Sequence, residues 1–371
     1  MIPVNEPRIG PRELEYVNEC LQTGWISSEG HFIEGFEHAW ADYCGMKYGV
    51  AVSNGTVALQ LAVACLDLQP GDEVILPTFT IISCAQAVIY NGGIPVLVDC
   101  DPRTWCMDVG QVEAKITPRT RAIMPVHIYG HPVDMDPLRE IARRHKLVII
   151  EDAAEAHGAE YKSARCGGLG DINCFSFYAN KIVTTGEGGM VLTNSETINC
   201  RLRSLRNLCF QKERRFYHTA LGYNFRMTNI QAALGLAQCE NIEMAVQQKR
   251  WMGQEYTRRL NRFENLQLPV EEAWAKNVYW MYGVVLNEST GMNAVDFAKR
   301  LAEGGVMTRP FFLGMHEQPV LHARGLYIDE HYPIAERLAR QGLYLPSGMT
   351  LTFAQLEKVC DVVGEEINRK Q

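Results

Sequence analysis

The chain has 371 residues, enough for two domains of ordinary size and a large buried core. Hydrophobic residues make up 47% and charged residues 21%, a balance that excludes a disordered or low-complexity chain. The 36 lysines and arginines stand against 43 acids, and the net charge of −7 argues against general binding to nucleic acid or to anionic membranes.

Residues 1–10 lack a basic start followed by an apolar run, so no signal peptide is expected. No apolar stretch reaches the ~18 residues of a membrane span, and a cytoplasmic protein is expected. Between residues 47 and 194, short β-branched runs alternate with helical patterns. Strands are predicted at Tyr48–Val52, Glu73–Leu76, Pro95–Val98, Ala122–Val126, Leu147–Glu151, Asn173–Phe177 and Met190–Thr193. Helices are predicted between the first five, at Thr56–Leu66, Ile81–Tyr90, Val109–Ile116 and Pro137–His145. Such alternation predicts a mostly parallel sheet covered by helices. Beyond Asn229 one long helix is predicted over Ile230–Phe263. A strand near Val278–Leu286, a helix from Asn293, a strand near Met307–Pro310 and a final helix from Thr352 follow. The pattern change predicts a domain of residues 1–240 and a second of residues 241–371.

Twelve cysteines are scattered along the chain without a single Cys-x-x-Cys pair, which removes the main support for zinc or dithiol chemistry. Cys65, Cys84 and Cys239 sit in apolar helical contexts and are expected to act as small buried hydrophobes. The thiols are therefore predicted to be reduced and structural, outside the chemistry.

Three features carry a chemical signal. Ser53-Asn54-Gly55-Thr56 joins a strand to a helix, and a Gly-Thr helix start offers free N–H groups to a phosphate, although it is also an ordinary cap. The apolar strand Val148–Ile150 runs into Glu151-Asp152, which places Asp152 at the carboxyl edge of the sheet, where α/β proteins bind ligands. Phe175-Ser176-Phe177-Tyr178-Ala179-Asn180-Lys181 puts a lysine between an apolar strand and the glycine-rich return Gly186-Glu187-Gly188-Gly189. A desolvated lysine there has a lowered pKa and a free amine for Schiff-base chemistry. The return lacks the spacing of a dinucleotide fingerprint. Together, a lysine, a carboxylate and a phosphate cradle on successive strand ends are the parts that pyridoxal phosphate requires.

Two further segments stand out. Arg201, Arg203, Arg206, Lys212, Arg214, Arg215 and Arg226 face only Glu213, a local charge of 7 − 1 = +6 among Phe210, Phe216, Tyr217 and Tyr223. Arginines and aromatic rings in this mixture suit a diphosphate and a stacked base. His127 and His131 share an i, i+4 spacing, but Gly130 and Pro132 argue against a helix, so no metal site is expected and a structural or substrate-lining role is favoured.

These motifs resemble those of the DegT/DnrJ/StrS nucleotide-sugar aminotransferases over essentially the whole chain. The matching stretches include Trp25–Gly30, Ser53–Thr56, Pro125–Gly130, Glu151–Ala156, Phe175–Phe177, Asn180-Lys181, Thr184–Gly189, Gly222–Asn229 and Thr308-Arg309-Pro310. Arg214-Arg215-Phe216-Tyr217-His218, Tyr279-Trp280-Met281 and Ala122–Pro125 are most similar to members that aminate a GDP-linked 4-keto-6-deoxyhexose, GDP-4-keto-6-deoxymannose.

The resemblance implies an α/β chain with the fold of aspartate aminotransferase: a mostly parallel large-domain sheet, a smaller C-terminal α+β domain, and a homodimer with shared active sites. It implies pyridoxal 5'-phosphate as cofactor, passing through pyridoxamine 5'-phosphate. Lys181 then forms the Schiff base, Asp152 meets the pyridine nitrogen and Glu155 meets the ring hydroxyl. Gly55, Thr56 and Ser176 hold the phosphate, with Asn224 reaching it from the other subunit. Ile81 stands where relatives carry an aromatic residue stacked on the ring. Trp25, Ser27, His127, Arg214, Tyr217, His218, Arg309 and His316 are the implied substrate contacts. The implied reaction moves an amino group from L-glutamate to a nucleotide-linked keto-sugar for surface polysaccharide. UDP- or dTDP-linked acceptors, a dehydratase of the same fold and a non-catalytic regulator remain as alternatives.

Overall fold

The computed structural model describes residues 1–211, 213, 214 and 216–369; Lys212 and Arg215 of the basic segment lie outside the described residues. Helices α1 (Pro11–Thr23) and α2 (His31–Tyr43) lead into β1 (Tyr48–Val52), α3 (Gly55–Ala64), β2 (Glu73–Pro77), α4 (Ser83–Tyr90), β3 (Ile94–Val98) and β4 (Thr120–Ile123). Then come α5 (Met135–His145), β5 (Val148–Asp152), the short strands β6 (Glu160–Tyr161) and β7 (Ala164–Arg165), β8 (Ile172–Ser176), β9 (Gly189–Thr193) and α6 (Glu196–Arg206).

The seven-stranded sheet has the order β1-β9-β8-β5-β4-β2-β3. The pairs β2–β3, β2–β4, β4–β5 and β5–β8 are parallel, and only β9 runs against its neighbours β1 and β8. Strands such as Val74–Leu76 and Met190–Leu192 are buried throughout, as expected for a sheet covered on both faces. Topology therefore brings the ends of β1, β5 and β8 to one edge, with Asn54, Asp152 and Ser176 at or just beyond them.

The long helix predicted over residues 230–263 is two helices, α7 (Asn229–Glu240) and α8 (Ile242–Leu260), broken at Asn241, whose backbone leaves the helical region at φ −115° and ψ 13°. α7 starts on a capping box: the Thr228 hydroxyl accepts from the Gln231 N–H, and the Gln231 side chain accepts from the Thr228 N–H. α8 spans two apolar clusters. Ile242 and Val246 belong to the one around the large sheet, while Met252, Tyr256 and Leu260 belong to a second. That second cluster lies beneath a four-stranded sheet of order β10-β12-β14-β13, made of Leu266–Gln267, Tyr282–Leu286, Gly342–Leu345 and Arg309–Pro310. The strand β11 (Ala275–Lys276) pairs with β6 instead. Helices α9 (Ala294–Glu303), α10 (Pro319–His322), α11 (Pro333–Gln341) and α12 (Phe353–Asn368) complete the chain. No helix among the described residues is long and apolar enough to cross a membrane.

Three other expectations are corrected. Val109–Ile116 forms two 3-10 turns rather than a helix, because the Asp108 carboxylate takes the Gly110 N–H and tightens the first turn. The strand expected from Val278 begins at Tyr282, since Tyr279 adopts φ +48° and bends the chain. The strand expected at Met307–Pro310 keeps only Arg309–Pro310.

Gly235 of α7 lies against Phe36 of α2, where an added Cβ would sit 2.5 Å from the ring. Gly235→Ala should destabilise the fold by about 1–3 kcal/mol, lowering the denaturant midpoint without changing its slope. An unchanged midpoint would contradict this close approach.

Candidate active site

Lys181 lies in the turn after β8, with only 9% of its side chain exposed. Its Nζ is 3.9 Å from Glu155 Oε1 and 3.8 Å from the ring centroid of Trp280. Glu155 is held from behind, because its Oε2 accepts the Tyr129 N–H at 2.7 Å. Asp152, the last residue of β5, is 3% exposed. Its Oδ1 accepts the Ala154 N–H at 3.1 Å and its Oδ2 accepts the Cys84 thiol at 3.2 Å.

Burial dominates the acid–base behaviour of this group. Loss of water pushes the Asp152 and Glu155 carboxyls above their ordinary range, and the nearby Lys181 ammonium opposes that rise only in part. Desolvation pulls the Lys181 amine down, opposed by the charges of Glu155 and Asp152. Burial also holds His157 neutral, its pKa pulled down to about 3. A desolvated amine between two carboxylates is suited to nucleophilic attack and proton transfer.

The phosphate cradle lies at the start of α3. Asn54 caps the helix by accepting the Val57 N–H at 3.0 Å, and Thr56 Oγ1 meets Ser83 Oγ at 2.9 Å. A Cβ on Gly55 would fall 2.5 Å from Ser176 Cβ, so only glycine lets the first turn of α3 approach the end of β8 so closely. First-turn N–H groups beside two hydroxyls fit a phosphate dianion. Asp152 fits a protonated ring nitrogen, and Lys181 an aldehyde. The residues present therefore fit pyridoxal phosphate. Lys181 also borders a cavity of about 230 Å³ between the N-terminal segment and α7–α8, but Gly55, Asp152 and Ser176 do not line it, so it is not the cofactor site.

The remaining predicted residues are scattered. Ile81 is 45% exposed just before α4. Trp25 and Ser27 are exposed between α1 and α2, tied down where Asn229 donates to their carbonyls at 2.8 and 2.6 Å. Asn224 is exposed and bridges to Asn207. Arg214, Tyr217 and His218 are exposed in the segment before it, with the Arg214 guanidinium over the Tyr217 ring. Arg309 is exposed on β13.

Two of the predicted substrate contacts, His127 and His316, are buried. His127 is fully buried: its Nε2–H donates to Glu151 at 2.9 Å and its Nδ1 accepts the Val133 N–H at 3.0 Å. Glu151 in turn takes the N–H groups of Gly167, Leu169 and Gly170, so this is a hydrogen-bonded core cluster. His316 is 3% exposed, with Nδ1 2.8 Å from Thr78 Oγ1. The +6 segment also changes meaning. Arg203 and Arg206 of α6 pair with buried Glu37, and Arg201 pairs with Asp67, whereas Arg226 donates to the Asn207 side chain and Arg214 lies over the Tyr217 ring.

Sequence reasoning missed Cys84 and Trp280. The first was read as a buried hydrophobe, yet its thiol donates to Asp152. The second is far from Lys181 in sequence, and only the matching Tyr279-Trp280-Met281 stretch marked it.

Because the folded protein favours neutral Asp152, its contribution to stability is full at low pH and lost as pH rises through the raised pKa. In cofactor-free protein, Asp152→Asn should therefore raise the melting temperature at pH 8, with the gain shrinking on acidification. A gain that grew at low pH would reverse this sign.

The profile of the DegT/DnrJ/EryC1/StrS aminotransferase family matches residues 7–364. GDP-perosamine synthase of Caulobacter vibrioides is 46% identical over 359 residues, covering 96% of each chain. The enzyme of the same name from Escherichia coli O157:H7 is 41% identical and covers 98% of each. Among solved structures, S. venezuelae DesV in complex with a ketimine intermediate superposes with a TM-score of 0.90 at 35% identity, over 97% of this chain and 95% of that one. The chain belongs to the DegT/DnrJ/EryC1/StrS family and is a pyridoxal phosphate-dependent sugar aminotransferase.

Proposed function

We propose that the protein transfers the amino group of L-glutamate to carbon 4 of GDP-4-keto-6-deoxymannose, giving GDP-perosamine for a surface polysaccharide, as a cytoplasmic homodimer with shared active sites. The observation that carries amino transfer is the buried Lys181 amine between Glu155 and Asp152. The choice of acceptor rests on the GDP-perosamine synthases that match nearly the whole chain. Twelve free cysteines, ten of them buried, suit a reducing compartment.

When bound, pyridoxal phosphate supplies an aldehyde that captures amines and a ring that accepts the electrons of a cleaved C–H bond. Gly55, Thr56 and Ser176 would hold its phosphate, helped by Asn224 of the partner subunit. Asp152 would keep a proton on the ring nitrogen, Glu155 would lie near the ring hydroxyl and Lys181 would hold the aldehyde. The neutral Lys181 amine would take the α-proton of glutamate and, in the second half-reaction, deliver a proton to the sugar carbon. Burial serves this role, since a lowered pKa keeps more of the amine neutral. The exposed Trp25, Ser27, Arg214, Tyr217, His218 and Arg309 are the groups offered to the nucleotide sugar, and Arg214 supplies a planar fork for the diphosphate.

Incubation with glutamate and a panel of GDP-, UDP- and dTDP-linked 4-keto and 3-keto sugars, read by mass spectrometry, tests the proposal. The GDP-linked 4-keto sugar should gain an amine fastest, and preferential amination of a UDP or dTDP sugar would overturn the acceptor. Lys181→Ala should lose turnover by about 10²–10⁴-fold or more; retained turnover would remove its role as base.

Ile81 offers an aliphatic face where relatives carry a stacked ring. Ile81→Tyr should tighten pyridoxal phosphate binding to the apoprotein by ~0.5–1.5 kcal/mol, measured by titration. Equal or weaker affinity would place residue 81 away from the cofactor ring.

A further inference from the structure

The reading above gives Lys181 its chemistry but leaves open what holds a flexible, buried amine in one place. Two groups flank it, the Glu155 carboxylate and the face of the Trp280 ring. Both hang from a single turn. The Tyr129 N–H binds Glu155, and at the next residue Gly130 has φ +102°, where a Cβ would fall 2.9 Å from the Trp280 nitrogen. The Tyr129 and Trp280 rings also stack, 6.3 Å apart at 21°.

Trp280 is itself fixed at its indole nitrogen and at its carbonyl. Its indole N–H donates to the Asn180 carbonyl at 2.8 Å, in the residue next to Lys181, and the Asn5 side chain donates to the same carbonyl at 3.2 Å. Its own carbonyl accepts from Lys249 Nζ at 2.6 Å. Lys249 is 2% exposed, and its other bond goes to the Ser347 carbonyl. The indole is thus clamped to the backbone of the lysine turn at one end and to α8 at the other, with its face turned to the amine.

We propose that Trp280 is a positioning residue that holds the Lys181 amine over its ring face. A π face attracts the ammonium without offering a site for its proton. It therefore restrains the amine while leaving it able to deprotonate, which a further carboxylate beside Glu155 and Asp152 would oppose. Asp152, Glu155 and His157 are the titratable groups around the amine, and Lys249 is the one behind the indole. The proposal rests on the transamination reading, and the test separates the two.

Apoprotein is mixed with pyridoxal phosphate and the adduct on Lys181 is trapped with borohydride at timed intervals, in wild type, Trp280→Phe and Trp280→Leu. Capture should slow by about tenfold or more in Trp280→Leu and by less than about threefold in Trp280→Phe. The kcat should follow the capture rate, while KM for glutamate stays within about twofold. Equal rates in the Phe and Leu variants would overturn the role of the ring, whereas a wild type that captured no cofactor would overturn the transamination reading instead. A second measurement needs no Trp280 variant to be active. In apoprotein labelled with 5-fluorotryptophan, the Trp280 fluorine resonance should titrate with pH, and that titration should vanish in Lys181→Met. A flat resonance in wild type, or the same titration in both, would overturn the contact.

Discussion

Three ionisable groups, one amine and two carboxylates, are held out of water at the carboxyl edge of the sheet, and the rest of the structure serves that burial. Each charge loses hydration that its neighbours restore only in part. The direction of the shifts follows: both acids move up and the amine moves down. The fold keeps these groups dry by giving each carboxylate specific donors, Ala154 and Cys84 for Asp152 and Tyr129 for Glu155.

Where an element depends on local sequence, its place was legible. β1, β5, β8 and β9 were legible as short apolar runs within a residue or so, because a parallel sheet buried on both faces needs such runs. The residues just past those runs, Asn54, Asp152 and Lys181, inherit their place from the strand ends. Features that depend on tertiary partners were not legible. Strands of two residues such as β10 and β13 carry no period, while Val109–Ile116 was misread for a local reason, the turn that the neighbouring Asp108 carboxylate makes with the Gly110 N–H. His127 and Asp152 follow similar apolar runs, yet one is locked in a core cluster and the other faces the site. The difference lies in Glu151, whose carboxylate takes both the His127 Nε2–H and the N–H of the more distant Gly167.

Counting charge and cysteines misleads for the same reason. The three arginines that open the +6 segment, Arg201, Arg203 and Arg206, are taken up by Asp67 and Glu37 and anchor α6. The cysteines are mostly the buried hydrophobes their surroundings suggest, with burial pushing thiols such as Cys44, Cys166 and Cys174 well up. Cys84 is the exception. A thiol there donates a weak hydrogen bond to Asp152 in a space where alanine would give none. A weak donor leaves the carboxylate more charge for the ring nitrogen than a hydroxyl would.

The smaller cluster reaches the chemistry through α8. That helix enters among residues of the large core, ends in the second cluster, and carries Lys249 at the seam between Val246 and Met252. Burial pulls the Lys249 pKa down to about 7, so the lysine is an expensive residue to keep dry. An apolar side chain there would be easier to bury, but it would leave the carbonyls of Trp280 and Ser347 without their donor. One amine with several hydrogens satisfies both and ties the bend at Trp280 to the loop after β14. The turn that carries Lys181 is then tied down by two routes, by its own strand through β8 and by the second cluster through Lys249 and Trp280.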